Sequence, residues 1–185
     1  MEGQIRILGF AGSLRSGSYN RALLRAAAEL IPEKASLEIF ELEGIPPFNQ
    51  DLENTMPAKV REFKSVIRAA DAVLIVTPEY NYSVPGVLKN AIDWASRPYG
   101  DSVWPGKPVA LMSASTGMLG GSRAQYHLRQ SFIFLDVLAV TKPEVFVTFA
   151  AQKFDDKGKL IDENTRKVVR DLLNALINLV QNKNQ

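Results

Sequence analysis

The 185-residue chain is predicted to fold as an α/β protein, a three-layer α/β/α sandwich around a parallel sheet, on three observations. Short β-rich runs alternate with longer amphipathic stretches in the order β-α-β-α-β-α-β-α-β-α, and such alternation implies parallel strands joined by helical crossovers. The clearest runs are continuously apolar, as strands covered on both faces are. The length suits one domain with a well-formed core, residues 1–185, and neither a repeat nor a low-complexity linker divides it.

The first strand is Ile5 to Phe10, a compact apolar run ending at Ala11-Gly12. Helix one follows over Arg21 to Ile31, where Leu23, Leu24, Ala27, Leu30 and Ile31 recur at helical spacing and Pro32 lies just past the end. Leu37 to Leu42 alternates and reads as an edge strand, closed by Gly44-Ile45-Pro46-Pro47. Val60, Phe63 and Ile67 mark helix two, and Asp71 to Thr77 is a buried strand. Helix three is expected over Val84 to Ala95, with Pro85 in its first turn. Pro108 to Ala114 is strand four, Gly121 to Leu135 is helical, and Val145 to Phe149 is strand five. Ala150 to Asp162 is polar, with a turn at Asp156-Lys157-Gly158. In the last helix Thr165, Val169, Leu172, Leu173, Leu176 and Val180 line one face.

Composition narrows the function. Net charge is +2 with no basic run, so the footprint of a nucleic-acid binder is missing. There is no cysteine and one histidine, His127, which removes disulfides, thiolate metal sites and cysteine nucleophiles and leaves no ligand cluster for zinc. A lone histidine without an orienting partner reads as structural rather than catalytic. The start, Met1 to Arg6, lacks the basic and apolar regions of a leader, and no apolar stretch approaches a membrane span. The expectation is a cytoplasmic protein with neither membrane nor nucleic-acid partners.

In an open parallel sheet, ligands bind beyond the carboxyl ends of the strands where the strand order reverses. That rule selects three loops. Gly12-Ser13-Leu14-Arg15-Ser16-Gly17-Ser18-Tyr19-Asn20 joins a buried strand to a helix start. Its glycines permit a tight turn with inward N–H groups, its hydroxyls and Arg15 donate to phosphate oxygens, and the helix N-terminus favours an anion. Thr77-Pro78-Glu79-Tyr80-Asn81-Tyr82-Ser83-Val84-Pro85-Gly86 is stiffened by prolines and offers two flat aromatic faces beside polar edges, as a flat heteroaromatic ligand requires. Ser113-Ala114-Ser115-Thr116-Gly117-Met118-Leu119-Gly120-Gly121 is small and glycine-rich, permitting close approach of a ring.

Other phosphate-handling patterns are missing. No Gly-Lys-Ser/Thr follows the first glycine at Walker spacing, and the dinucleotide pattern of three glycines is lacking. Glu41 and Glu43 lie about thirty residues past Gly12, beyond the roughly twenty of a ribose-binding acid. The acid pair of a phosphorelay receiver is replaced by Ala11-Gly12-Ser13, and no Gly-x-Ser-x-Gly elbow of a hydrolase occurs.

Taken together, residues 12–20, 78–86, Leu88-Lys89-Asn90-Ala91-Ile92-Asp93-Trp94, and Ser115-Thr116-Gly117 with Gly120-Gly121 resemble the NADPH-dependent FMN reductase family, its bacterial quinone and chromate reductase branch in particular. The resemblance runs from about residue 5 to 149 and implies a flavodoxin-like fold with five parallel strands in the order 2-1-3-4-5. It implies non-covalent FMN, with Ser13, Arg15, Ser18, Tyr19 and Asn20 at the phosphate. Pro78, Glu79, Tyr80, Asn81 and Tyr82 would lie along the isoalloxazine, and Ser115, Thr116, Gly117 and Gly120 on its other side. It further implies ping-pong hydride transfer from NADPH or NADH through the flavin to a quinone or a related acceptor (chromate, an azo compound, free flavin), with no catalytic side chain and no metal. A homodimer or homotetramer is implied as well, with Arg123, Tyr126 and Glu144 near the contact, and Trp94 and Trp104 in the core or an interface. The rival reading is a flavodoxin-like electron carrier, whose members are usually strongly acidic, unlike this chain.

Overall fold

The computed structural model describes residues 4–183; Met1 to Gly3, read above as lacking a leader, lie outside them. Strands β1 (Ile5–Ala11), β2 (Ala35–Ile39), β3 (Ala72–Val76) and β4 (Pro108–Ala114) alternate with helices α1 (Tyr19–Leu30), α2 (Ala58–Ala69) and α3 (Gly86–Ala95). Then come α4 (Ser122–Leu135), the short strands β5 (Leu138–Ala139) and β6 (Val145–Val147), and α5 (Glu163–Lys183). All pairings are parallel, in the order β2-β1-β3-β4-β5, with β6 also on β4.

The strand pleat sorts the core. Leu74 and Val76 of β3 point to one layer with α1 and α5, whereas Val73 and Ile75 point to the other with α2, α3 and α4. Every residue of β3 and β4 is buried, which is why both read as unbroken apolar runs. Trp94 and Trp104 are fully buried, their indole N–H groups donating to the Pro46 and Ile92 carbonyls at 2.8 and 3.1 Å; they belong to the core.

Four boundaries differ from the sequence reading. Strand two lies at Ala35–Ile39, upstream of Leu37 to Leu42, because Phe40 and Leu42 are buried against α2 from beyond the strand end and mimic a strand pattern. Helix one begins at Tyr19, capped by the Ser18 hydroxyl, which accepts from Asn20 N–H. Pro85 caps α3 rather than sitting in its first turn. The fifth sheet position is shared: β5 pairs with the start of β4 and β6 with its end. Strand β6 stops at Val147, and Phe149 takes φ +48°.

Among the described residues no helix is long and apolar enough to cross a membrane, and no group of three acidic or imidazole side chains is placed to hold a metal.

Candidate functional site

Strands β1 and β3 end level with one another, Ala11 beside Val76, and β4 runs two residues past Met112, the partner of Val76. The chain leaves β1 toward β2 and leaves β3 toward β4, so the strand order reverses between β1 and β3. The loops after the three strands open there around a cleft of about 190 Å³. Ser13, Arg15, Ser18, Tyr19 and Asn20 line it from the first loop, Pro78, Glu79 and Tyr80 from the second, and Ser115 and Thr116 from the third, beside Ala114. Ten of the fourteen residues named from the sequence thus meet; Asn81, Tyr82, Gly117 and Gly120 do not line it.

The first loop is a set of donors without acceptors. Gly12 N–H donates to the Val76 carbonyl at 2.8 Å and Ser18 N–H to the Arg15 carbonyl at 3.1 Å, which folds the loop back. Between them, the backbone N–H groups of Ser13, Leu14, Arg15, Ser16 and Gly17 make no hydrogen bond among the described residues. The Arg15 guanidinium likewise has no ion pair among them. Such a concavity at a helix N-terminus suits an anion. Gly12 is closely packed: a Cβ there would lie 3.0 Å from Leu88 Cβ, and Leu88 would have to shift to admit it.

Asn20 holds the two halves of the cleft together. Its buried amide donates to the Ala114 carbonyl at 2.9 Å and accepts from Ala114 N–H at 2.8 Å. The side chain stands in for a strand partner at the end of β4, so α1 is tied to the third loop.

The second loop is a tight hairpin. Tyr80 and Ser83 exchange N–H to carbonyl bonds at 3.1 and 2.9 Å, and the two residues between them, Asn81 and Tyr82, take φ +50° and +63°. Two consecutive positive φ values define the two-residue turn whose twist matches a hairpin. Tyr80, which lines the cleft, and Tyr82, two residues on, are left half to two-thirds exposed. Glu79 turns the other way. Its carboxylate accepts from Arg123 N–H at 3.0 Å, Ala124 N–H at 3.3 Å and the Arg123 guanidinium at 3.3 Å. That guanidinium also lies 3.8 Å from the centre of the Tyr82 ring, and His127 Nδ1 is 3.0 Å from the Ser83 hydroxyl.

The third loop is held from below. Ser115 Oγ accepts from Gly117 N–H at 3.1 Å. Buried Gln125 donates to Ser113 Oγ at 2.8 Å and to the Val145 carbonyl at 2.9 Å, and Ser113 donates to the Gly120 carbonyl at 2.6 Å. Gly120 has φ +59° and presses on β6: a Cβ would fall 2.8 Å from the Phe146 carbonyl carbon. It shapes the loop from outside the cleft. Sequence reading did not find Gln125, placed Ala114 in the third loop without a contact of its own, and did not include in its expectations for Arg123 and His127 the hairpin they hold. The signal was absent because each contact joins residues 44 to 94 positions apart or lies within the third loop's own foundations.

Residues 5–152 match the NADPH-dependent FMN reductase family. The chain is 50% identical over 177 residues to an NAD(P)H-dependent FMN reductase of Pseudomonas aeruginosa, covering 95% of each chain. It is 43% identical to a 2-hydroxy-1,4-benzoquinone reductase of a Burkholderia species, covering 91% of this chain and 92% of that one. Among solved structures, a flavoenzyme NAD(P)H:(acceptor) oxidoreductase from Paracoccus denitrificans superposes with a TM-score of 0.87 at 34% identity, over 96% of this chain and 98% of that one. With a parallel sheet of the expected order, three loops meeting at its switch point and this degree of likeness along nearly the whole chain, the protein belongs to the NADPH-dependent FMN reductase family.

Proposed function

We propose that this protein is an FMN-dependent NAD(P)H oxidoreductase that reduces quinones and related acceptors. The observation that carries the reading is the division of one cleft into an anion-binding end, with five unpartnered N–H groups and Arg15, and a flat aromatic end at Pro78, Tyr80 and Thr116. FMN has that shape and polarity: a terminal phosphate on a chain, then a planar ring with a polar edge.

In this reading Ser13, Arg15 and Ser18 hold the phosphate, while Pro78, the Glu79 backbone, Tyr80, Ser115, Thr116 and the segments around Asn81 and Gly117 frame the ring; the Glu79 carboxylate is turned toward α4. Bound FMN would supply acceptance of a hydride from the nicotinamide and its delivery to the acceptor. The chain's own residues bind and orient. Tyr80 and Tyr82, exposed at the mouth, present flat faces against which a nicotinamide and then a quinone are placed. The nicotinamide and the quinone would occupy the same place in turn, which gives a ping-pong order. Glu79 is committed to three donors and is not a free general acid or base. The reductase and quinone reductase names of the relatives support quinone as the acceptor class. An apolar stripe on α4, with Tyr126, Ile133 and Phe134 exposed, supports assembly as a homodimer or homotetramer.

The deciding experiment is an anaerobic titration of the purified protein with NADPH and NADH, followed by addition of a benzoquinone. A yellow protein bleached by at least one nicotinamide and recoloured by the quinone is expected, with parallel double-reciprocal plots in steady state. A colourless protein that takes up no added FMN overturns the reading. A flavoprotein reduced by neither nicotinamide points instead to a flavodoxin-like electron carrier.

A further inference from the structure

The hairpin at the mouth of the cleft has few internal supports. It is closed by one pair of backbone hydrogen bonds, and both central residues carry side chains in a conformation that glycine adopts more easily. A two-stranded turn of this size is not stable alone. Its position must come from what it rests on, and that is the start of α4: the first turn through Glu79 and Arg123, and His127 one turn on, whose Nδ1 is 3.0 Å from the Ser83 hydroxyl.

Helix α4 starts without a cap of its own: its flanking residue is Gly121, which offers no side-chain acceptor. The N–H groups that a local cap would satisfy are those of Arg123 and Ala124, at the second and third helical positions. Both are taken by Glu79 Oε2, at 3.0 and 3.3 Å, from 44 and 45 residues away. The Glu79 side chain is 13% exposed and also accepts from Arg123 at 3.3 Å, and the same guanidinium covers Tyr82. A negative group is favoured at a helix N-terminus, so the charge is matched as well as the hydrogen bonds.

We infer that Glu79 is a positioning residue whose carboxylate caps α4 in place of a local cap and thereby fixes the lip of the cleft, Tyr80 to Ser83, to the helix that follows the opposite wall. The inference rests on the proposed function only in its consequence for substrates. The Glu79 carboxylate sets where the exposed tyrosine faces stand, and so how well the acceptor is bound, without itself contacting the acceptor or the cofactor.

The test compares Glu79→Ala, Glu79→Gln and a remote control, Asp162→Ala. Asp162 caps α5 by accepting from Thr165 N–H at 2.8 Å and lies outside the cleft. Loss of a cap changes an equilibrium by roughly two- to thirtyfold. Glu79→Ala and the control are expected to lower Tm by similar amounts. Only Glu79→Ala is expected to speed amide hydrogen exchange at Tyr80 and Ser83, and to raise the quinone KM by about tenfold with kcat held within about twofold. Glu79→Gln keeps an acceptor for the two N–H groups and recovers most of both.

If the Tyr80 and Ser83 amides exchange no faster in Glu79→Ala than in the control, the inference is wrong. It is equally wrong if Glu79→Ala and Glu79→Gln weaken FMN binding alike with the hairpin still protected, because the carboxylate would then contact the cofactor directly. A wild-type protein that binds no flavin overturns the proposed function alone. The exchange comparison, made on the protein without ligand, still decides the role of Glu79. If Glu79→Ala does not fold, Glu79→Gln decides: undisturbed amide exchange and quinone KM in a folded Gln variant support the cap, and fast exchange there overturns it.

Discussion

Arg15 and Asn20 sit on the same loop and do opposite work. Asn20 spends its amide on the Ala114 backbone inside the protein. Arg15 is exposed and has no acidic partner among the described residues, so nothing in the fold accounts for its charge. A charged hydrogen bond is worth roughly 1.5–3 kcal/mol, about ten- to a hundredfold in affinity. Arg15→Ala is therefore expected to raise the FMN dissociation constant by that factor and to leave the Tm of the flavin-free protein unchanged. Flavin fluorescence titration with a parallel melt checks both. An unchanged dissociation constant removes Arg15 from the phosphate site. A lowered Tm in the flavin-free protein would mean that the side chain supports the loop instead.

At the scale of elements, what was legible followed from burial on both faces. Strand β3 is apolar throughout, and β1 past Arg6 and β4 apart from Ser113 nearly so, because helices cover both sides, and a run of that kind needs no partner to be recognised. Strand β2 is at the edge, half-covered, and its signal was displaced by Phe40 and Leu42, which are buried for reasons outside the sheet. Strand β5 is two residues long and left no pattern. The loops after β1, β3 and β4 were legible because topology selects them before any motif does. The ties between them were not: Glu79 to α4 and Asn20 to β4 are properties of the folded sheet. A similar long-range tie is expected to contribute to stability in acid. Buried Lys64 on α2 donates to the Arg97 carbonyl and to Asp101 at 2.6 Å, and Arg68 pairs with the same carboxylate. The Lys64 hydrogen bond, helped by Arg68 and opposed by burial, holds the Asp101 carboxyl below its ordinary 3.8. A carboxyl depressed in the folded state contributes stability that is fully present above the unfolded value and is lost as pH falls through the folded one. Urea melts should thus weaken as pH drops below about 4. Asp101→Asn should flatten that dependence and cost roughly 1–3 kcal/mol at neutral pH, less than a fully buried pair because the Asp101 side chain is half exposed. An unchanged acid slope in the variant would show that Asp101 is not the group responsible.

For the whole molecule, the outstanding feature is the outer face of α4. Ile133 and Phe134 are 83% and 78% exposed, and Tyr126, two turns earlier, is 49% exposed. They stand on the helix whose first turn carries the lip of the cleft, so a second copy packed on this face would continue the site's outer wall. Burying an aliphatic or aromatic side chain of this size yields about 1.5–3 kcal/mol. In a two-fold contact Ile133 and Phe134 each count twice, giving roughly 6–12 kcal/mol against an association cost of about 4–15 kcal/mol. The two ranges overlap, so a stable dimer would also draw on Tyr126 and the groove between α3 and α4, about 420 Å³, that Phe134 lines with Phe48 and Ile92. Ile133→Glu combined with Phe134→Lys introduces two opposite charges and leaves net charge unchanged. Sedimentation velocity is expected to show a dimer or tetramer for the natural chain and a monomer for the double variant. Amide exchange over Tyr80 to Ser83 should rise in step with dissociation if the second copy supports the lip. A natural chain that sediments as a monomer at micromolar concentration ends the assembly proposal and leaves α4 supporting the lip through Glu79, Arg123 and His127 within one copy.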